Sequence, residues 1–311
     1  MKKILITGGA GYIGSKLATE LLKYNYKVTV IDILKISSRS LNHLFNNKNF
    51  NFVKGDVRNK KLMKNLIKKN DFIVPLAALV GAPLCEKNKS EAISVNLESI
   101  KYLMKTITKR NKIIYLTTNS GYGVGEKNKY CDEKSPLKPI SLYGRTKVEA
   151  EKIVMQSKNS IGFRLATVFG YSYRMRTDLL VNNFVFKSIN EKKITLFEPH
   201  FRRNYIHVDD VVDGIIFSLK NFKKLKSNIY NLGLSSANLT KYMLVKKIKK
   251  QLKYLKIKII DYKKDPDQRD YYVSNKKIEK KGFKAKIKIE SGINELINVF
   301  DKSNENIINN Y

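Results

Sequence analysis

A doubly wound α/β fold, a mostly parallel sheet with helices on both faces, is predicted by three observations. Short apolar runs fit buried parallel strands, they alternate with stretches of helical spacing, and the first run opens directly into a glycine-rich turn. That first run is Lys3-Ile-Leu-Ile-Thr7, the turn is Gly8-Gly-Ala-Gly-Tyr-Ile-Gly14, and Ser15-Lys-Leu-Ala-Thr-Glu-Leu-Leu22 carries the helical spacing. A second strand is predicted at Lys27-Val-Thr-Val-Ile-Asp32, a third at Phe50-Asn-Phe-Val-Lys-Gly-Asp56 and a fourth at Asp71-Phe-Ile-Val-Pro-Leu-Ala-Ala78. After about residue 170 the regular alternation gives way to irregular segments. The expected division is therefore a main lobe over 1–170, completed by about 203–234, and a smaller α/β lobe from 171–202 and 235–311.

Strand, glycine turn and helix, in that order, form the setting that a dinucleotide fingerprint requires. Gly8 permits the turn, Gly11 lets the backbone approach a pyrophosphate, and Gly14 allows close helix–strand packing. The amides at the helix start, around Tyr12 and Ile13, would face the phosphates. Asp32 lies 18 residues after Gly14, where a carboxylate hydrogen-bonds the adenosine ribose and repels a 2′-phosphate, so the expected cofactor is NAD. The plainer reading of Asp32 is a helix cap. Asp56 and Val57 end the third strand beside the expected adenine, and Leu76, Ala77 and Ala78 would line the cofactor.

Further along, Ser141-Leu-Tyr-Gly-Arg-Thr-Lys147 sets Tyr143 and Lys147 four residues apart, on one helix face. A phenol loses its proton near pH 10, and a neighbouring lysine cation, helped by a positive nicotinamide, favours the phenolate. Such a pair can take a proton from an alcohol while hydride leaves the carbon. Alone, the spacing is a common chance pair; downstream of the glycine turn it is specific.

Composition bounds the alternatives. Lys and Arg number 61 against 27 Asp and Glu, for a net charge of +34. The lysines are spread over almost every segment, few arginines accompany them, and no aromatic–basic motif repeats, so the reading is a solvated basic surface rather than a nucleic-acid site. The densest run, from Lys241 to Lys264, has helical then strand spacing. No apolar run nears the roughly 20 residues of a membrane span, and Met1-Lys-Lys leads straight into a strand, so a cytoplasmic protein without signal peptide is expected. Cys85 and Cys131, with His43, His200 and His207, lack metal spacing; no metal is expected and both thiols are read as inert.

Taken together, the chain resembles the extended short-chain dehydrogenase/reductase family, the nucleotide-sugar epimerases and dehydratases. The resemblance rests on the glycine turn, Asp32, Leu76-Ala-Ala78, Val95-Asn96, Thr117-Thr-Asn-Ser-Gly-Tyr-Gly123, Tyr143 with Lys147, Arg164-Leu-Ala-Thr-Val-Phe-Gly170 and Arg203-Asn-Tyr-Ile-His-Val-Asp-Asp210. It implies a Rossmann lobe with a seventh strand, a nucleotide-sugar substrate, Asn96 near the cofactor, and a homodimer through helices around 91–109 and 142–157. It also implies that Thr118 holds the sugar oxygen beside Tyr143, and that Arg203 meets the diphosphate. Arg176, Asn182 and Arg269, the last in Asp265-Pro-Asp-Gln-Arg-Asp270, are further candidates for that anion. His207 is implied to be structural, and Asp209 and Asp210 are read as caps of the helix holding Val211-Val-Asp-Gly-Ile-Ile216.

One departure narrows the reaction. The family's 4,6-dehydratases carry Asp-Glu directly after the threonine, where this chain has Asn119 and Ser120. An amide and a hydroxyl cannot supply that proton chemistry at neutral pH. What remains is oxidation at C4, with or without return of the hydride, or its reversal on a keto-sugar. The rival from another class is a non-catalytic Rossmann-fold sensor or RNA-binding protein.

Overall fold

The computed structural model describes residues 1–35, 39–126, 129–260 and 269–302. Its centre is a seven-stranded parallel sheet. Five of its strands are β1 (Lys3–Thr7), β2 (Lys27–Asp32), β3 (Phe50–Lys54), β4 (Phe72–Pro75) and β5 (Lys112–Thr118). The strands Ser160–Leu165 and Asn228–Leu232 complete it, so that the order across the sheet is Asn228–Leu232, Ser160–Leu165, β5, β4, β1, β2, β3. This is a Rossmann-type α/β fold. The chain runs outward from β1 through β2 to β3, then returns to β4 on the other side of β1. That reversal makes a crevice at the carboxyl ends of β1 and β4, where open α/β sheets bind ligands.

Alternation along β1 explains why both faces need covering. Ile4 and Ile6 point into one core with Leu17, Val28, Phe163 and Ile215, under α1 (Tyr12–Lys23) and the helix Val208–Lys220. Leu5 points into another with Ile73, Tyr115, Ala150 and Val154, under the helices Lys60–Lys69, Ser99–Thr106 and Leu142–Val154. A third core joins Val181, Leu196, Tyr205, Leu244 and Ile293. It is built from the helices Leu180–Asn190, Lys241–Gln251 and Ile289–Lys302 and the strands Lys193–Phe197 and Arg202–His207.

The dense lysine run forms the helix Lys241–Gln251 and the strand Lys256–Ile260, as its two spacings predict, and its last residues, 261–264, lie outside the described residues. The start of the helix at Val208 corrects one expectation. Its cap is His207, whose Nδ1 accepts the Asp209 amide at 3.3 Å. Asp209 and Asp210 stand in the first turn, where the helix dipole favours acids. Asp209 pairs with Lys16 at 2.8 Å, and Asp210 accepts the Lys286 and Ile287 amides, both at 2.9 Å. No helix among the described residues is long and apolar enough to cross a membrane.

Candidate active site

The glycine turn is shaped by backbone crowding. Gly8 has φ +67°, and a Cβ there would lie 2.6 Å from the Ala77 nitrogen. A Cβ on Gly14 would sit 2.5 Å from the Gly8 oxygen and 2.6 Å from the Gly9 Cα. The turn therefore packs against β4 on one side and lets α1 approach on the other. Gly11, the N-cap of α1, offers no side-chain acceptor, so the first amides of that helix keep their capacity for an anion. Asp32, at the end of β2, accepts the Ala10 amide at 3.0 Å and the Leu34 amide at 2.9 Å. A carboxylate has about four acceptor sites, so it can also take ribose hydroxyls. An uncapped helix start, a glycine cradle and an acid at the end of β2 fit a dinucleotide.

Around this turn the other expected cofactor residues hold the local frame. Leu76 donates to the Thr7 carbonyl at 3.0 Å and Ala77 to the Thr7 hydroxyl at 3.2 Å, with Ala78 following. Ile13 packs on the core beneath α1. Tyr12 is buried, and its hydroxyl donates to the Gly170 carbonyl at 2.6 Å. Asp56 is gripped by Arg58 through contacts of 2.6–3.0 Å, which hold its carboxyl below the usual range; Val57, beside it, packs on the core that holds Leu5. Asn96 lies in a π-helical turn, Ser94–Glu98, of a kind that recurs at functional sites. Its amide accepts from Leu79 N at 2.8 Å and donates to Leu79 O at 3.0 Å, fixing the segment that leads to Cys85.

Thr118 is the last residue of β5, and its hydroxyl lies 2.9 Å from that of Ser120. Tyr143 and Lys147 occupy the first two turns of the helix Leu142–Val154, capped by Ser141, whose hydroxyl accepts the Gly144 amide at 3.1 Å. Gly144 lets the helix start lie close to Pro139, which a Cβ would crowd at 3.0 Å, while the turn after Thr118 stands at ordinary contact, 3.6 Å from Ser120 O. Lys147 is 6% exposed, with its ammonium 4.2 Å from the centre of the Tyr115 ring. Burial pushes Lys147 down to about 7, against the opposing field of Glu151. Burial likewise pushes Tyr143 up to about 12, Cys85 adds to this, and Arg176 and Arg269 pull the other way. Without ligand, then, Tyr143 is neutral and Lys147 is divided between its charged and neutral forms near pH 7. The lowering of the tyrosine that the sequence suggests depends on positive charge arriving with the cofactor.

The arginines come from beyond residue 170, Arg203 from the strand Arg202–His207. Arg203 is buried, with its guanidinium 5.8 Å from the Tyr271 ring centre. Arg176 is buried and forms a fork with Asp178. Arg269 is half-buried and acts electrostatically on Tyr143 and Tyr205; residues 265–268 of its segment lie outside the described residues. Asn182 is fully buried, and its amide binds Gly170 N at 3.1 Å and Arg176 O at 2.9 Å. It ties the Gly170 turn to the backbone of Arg176.

Four features escaped the sequence reading. Glu151, one turn beyond Lys147, makes a buried fork with Arg164, with contacts of 2.7–3.2 Å; its signal was the spacing 143, 147, 151. Tyr115 lies beneath Lys147. Cys85 lies within electrostatic reach of Tyr143, and burial holds its thiol up at about 11. His207 bonds Glu295 at 2.7 Å, and with Asp209 the three form a cluster whose groups are already engaged by one another and by Lys16.

Fold, glycine cradle and Tyr-Lys pair define the class, and residues 4–233 match the NAD dependent epimerase/dehydratase family. The chain belongs to that family: it is an enzyme, and its cofactor is NAD. Among individual proteins, it is 31% identical over 257 residues to dTDP-D-glucose 4,6-dehydratase of Dictyostelium discoideum, covering 75% of this chain and 58% of that one. It is 30% identical over 230 residues to the uncharacterized UDP-glucose epimerase YtcB of Bacillus subtilis, covering 68% of this chain and 71% of that one. The crystal structure of dTDP-glucose 4,6-dehydratase from Bacillus anthracis in complex with NAD superposes with a TM-score of 0.84 at 25% identity, over 97% of each chain.

Proposed function

We propose that the enzyme oxidises the C4 hydroxyl of a nucleotide-sugar, and that its substrate is a GDP-heptose, making it a GDP-heptose 4-dehydrogenase. The observation that carries the reaction type is the pair of residues after Thr118. Asn119 is 1% exposed, neither atom of its amide has a hydrogen-bond partner among the described residues, and Ser120 is buried beside it. Both stay neutral at working pH, so they cannot provide the acid and base that removing water would need. This separates the chain from its dehydratase relatives despite the shared fold.

Tyr143 accepts the C4-hydroxyl proton, the Thr118 hydroxyl holds that oxygen, and Lys147 holds the nicotinamide ribose. When bound, NAD supplies the hydride acceptor. Gly8, Gly11, Tyr12, Ile13 and Gly14 surround the pyrophosphate, Asp32 the adenosine ribose, Asp56 and Val57 the adenine. Leu76, Ala77, Ala78 and Asn96 flank the remainder. Arg203 and Arg269 answer the substrate diphosphate, since guanidinium forks suit paired phosphate oxygens, and Arg176, whose fork Asp178 takes, adds its positive field. A cleft of about 410 Å³ between the helix Leu180–Asn190 and the strand Lys193–Phe197, walled by Phe184 and Phe197, suits the base. The heptose rests on resemblance to GDP-D-glycero-α-D-manno-heptose 4-dehydrogenase in residues 75–85, 118–126, 174–182, 200–207 and 231–240. A homodimer through the helices near 91–109 and 142–157 belongs to the same reading, as does a cytoplasmic location.

A second reading, a nucleotide-sugar 4-epimerase, is favoured by the similarity to YtcB and uses the same three residues. Mass spectrometry after incubation with NAD and GDP-, UDP- and dTDP-sugars tests both. A product two hydrogens lighter, with NADH formed, is expected. Unchanged mass with altered chromatography establishes the epimerase instead, and loss of water refutes the argument from Asn119 and Ser120.

A further inference from the structure

Behind the Tyr-Lys pair lies a buried ionic network. Tyr143, Lys147 and Glu151 follow at four-residue intervals on one face of the helix Leu142–Val154, and Glu151 is 2% exposed. Its carboxylate receives the Arg164 guanidinium at 2.7, 3.1 and 3.2 Å. Arg164 comes from the neighbouring strand Ser160–Leu165 and also donates to the Tyr122 hydroxyl at 3.1 Å. The Tyr122 hydroxyl in turn donates to Asn231 Oδ1 at 2.6 Å. A buried carboxylate tied this firmly is a fixed negative charge one helical turn below a buried lysine.

We propose that Glu151, held by the fork of Arg164, is a positioning residue that keeps the buried Lys147 ammonium charged and directed at the cofactor ribose. This rests on the reading of Lys147 as the ribose-binding lysine. The groups facing Lys147 leave the role to few others. From β5 it meets the neutral Tyr115 ring, and on its own helix Tyr143 and Glu151. The Cys85 thiol, from the helix Ala82–Lys87, and the guanidiniums of Arg176 and Arg269 act on Tyr143. From the strand Ser160–Leu165 comes Arg164, and from the packed segment 94–106 Glu98 and Lys101, both turned to the solvent side with Glu149. Among these, Glu151 is the one anion whose field reaches Lys147, and burial alone works against the charged form. Burial also works against Arg164, but its bonds to Glu151 more than offset this and hold its charge above the ordinary range.

The test is NAD affinity measured calorimetrically from pH 6 to 10. Affinity falls as Lys147 of the free protein loses its proton, from about pH 7. In Glu151→Gln the fall begins about one pH unit lower, because the field that favours the ammonium is gone. In Arg164→Met it begins at higher pH, because the carboxylate then acts on Lys147 without its counter-charge. The double variant removes the buried pair together, which folds tolerate better than removing one partner, and its profile lies between the two. A merely structural network would lower stability in all three without moving the profiles in opposite directions. Coincident profiles, or shifts of the same sign, overturn the proposal. Lys147→Met separates the two readings: unaltered NAD affinity there removes the ribose-binding role itself. Weakened affinity with unmoved profiles in the other variants removes only the part given to Glu151.

Discussion

Gly8 and Gly11 stand three residues apart in one turn, yet the structure predicts opposite consequences for an added methyl group. At Gly8 the backbone has φ +67°, where an L side chain costs about 1–2 kcal/mol. Its Cβ would meet the Ala77 nitrogen at 2.6 Å, so ordinary contact at 3.4 Å requires about 0.8 Å of separation between the ends of β1 and β4. The bond from Leu76 N to Thr7 O is 3.0 Å, and the same opening stretches it to about 3.8 Å, beyond hydrogen-bond range. Losing it costs about 1 kcal/mol more. A total of about 2–3 kcal/mol lowers the melting temperature by roughly 3–5 °C for a chain of 311 residues, whose unfolding entropy sums to about 650 cal/mol/K.

At Gly11, φ is −78° and ψ −175°, open to any residue, and an added Cβ meets only the Gly8 oxygen, at 3.1 Å. Gly11→Ala is therefore expected to melt within about 2 °C of the parent, as a contact that relaxes by a few tenths of an ångström costs under about 1 kcal/mol. If the pyrophosphate approaches that backbone, the same methyl group weakens NAD binding at least about tenfold, or 1.4 kcal/mol. Thermal melting and titration calorimetry on both variants check the pair. The reasoning fails if Gly8→Ala melts like the parent, or if Gly11→Ala binds NAD with full affinity.

Tyr143→Phe is expected to retain NAD binding and lose about 10²–10⁴ in turnover, the usual contribution of a positioned proton acceptor, measured by NADH formation; undiminished turnover would remove Tyr143 from the chemistry. Lys147 gives a pH dependence of stability whose sign follows from its depressed folded value of about 7 against the ordinary 10.5. Between these values the unfolded chain binds more protons, so the cofactor-free protein gains stability as pH rises through that window, and Lys147→Met flattens the slope in denaturant titrations.

Where local chemistry dictates structure, the sequence was legible. β1 and β2 coincide with their apolar runs because a parallel strand covered on both faces is apolar through its middle, as Ile4, Leu5 and Ile6 and Val28, Val30 and Ile31 are. The third and fourth runs were read too long: β3 stops at Lys54 and β4 at Pro75, where the chain leaves the sheet to form the crevice. Beyond β4 the apolar character continues through Leu76, Ala77 and Ala78, and periodicity cannot separate a strand from such a continuation. Tyr143 and Lys147 were visible from helical spacing alone. Their ionisation was not, because burial is a property of the assembled lobes and reverses the direction that proximity suggests. The pairing of Arg164 with Glu151 was equally hidden: it joins the strand Ser160–Leu165 to the helix Leu142–Val154 that precedes it, and only the packing of that helix on the sheet brings the two together. The reaction type depends on the opposite kind of information. On the proposed reading, Asn119 and Ser120 argue by residue type against acid–base elimination, while 31% identity to a dehydratase reports the shared frame. On that reading, two side chains beside Thr118 choose between chemistries that one fold supports.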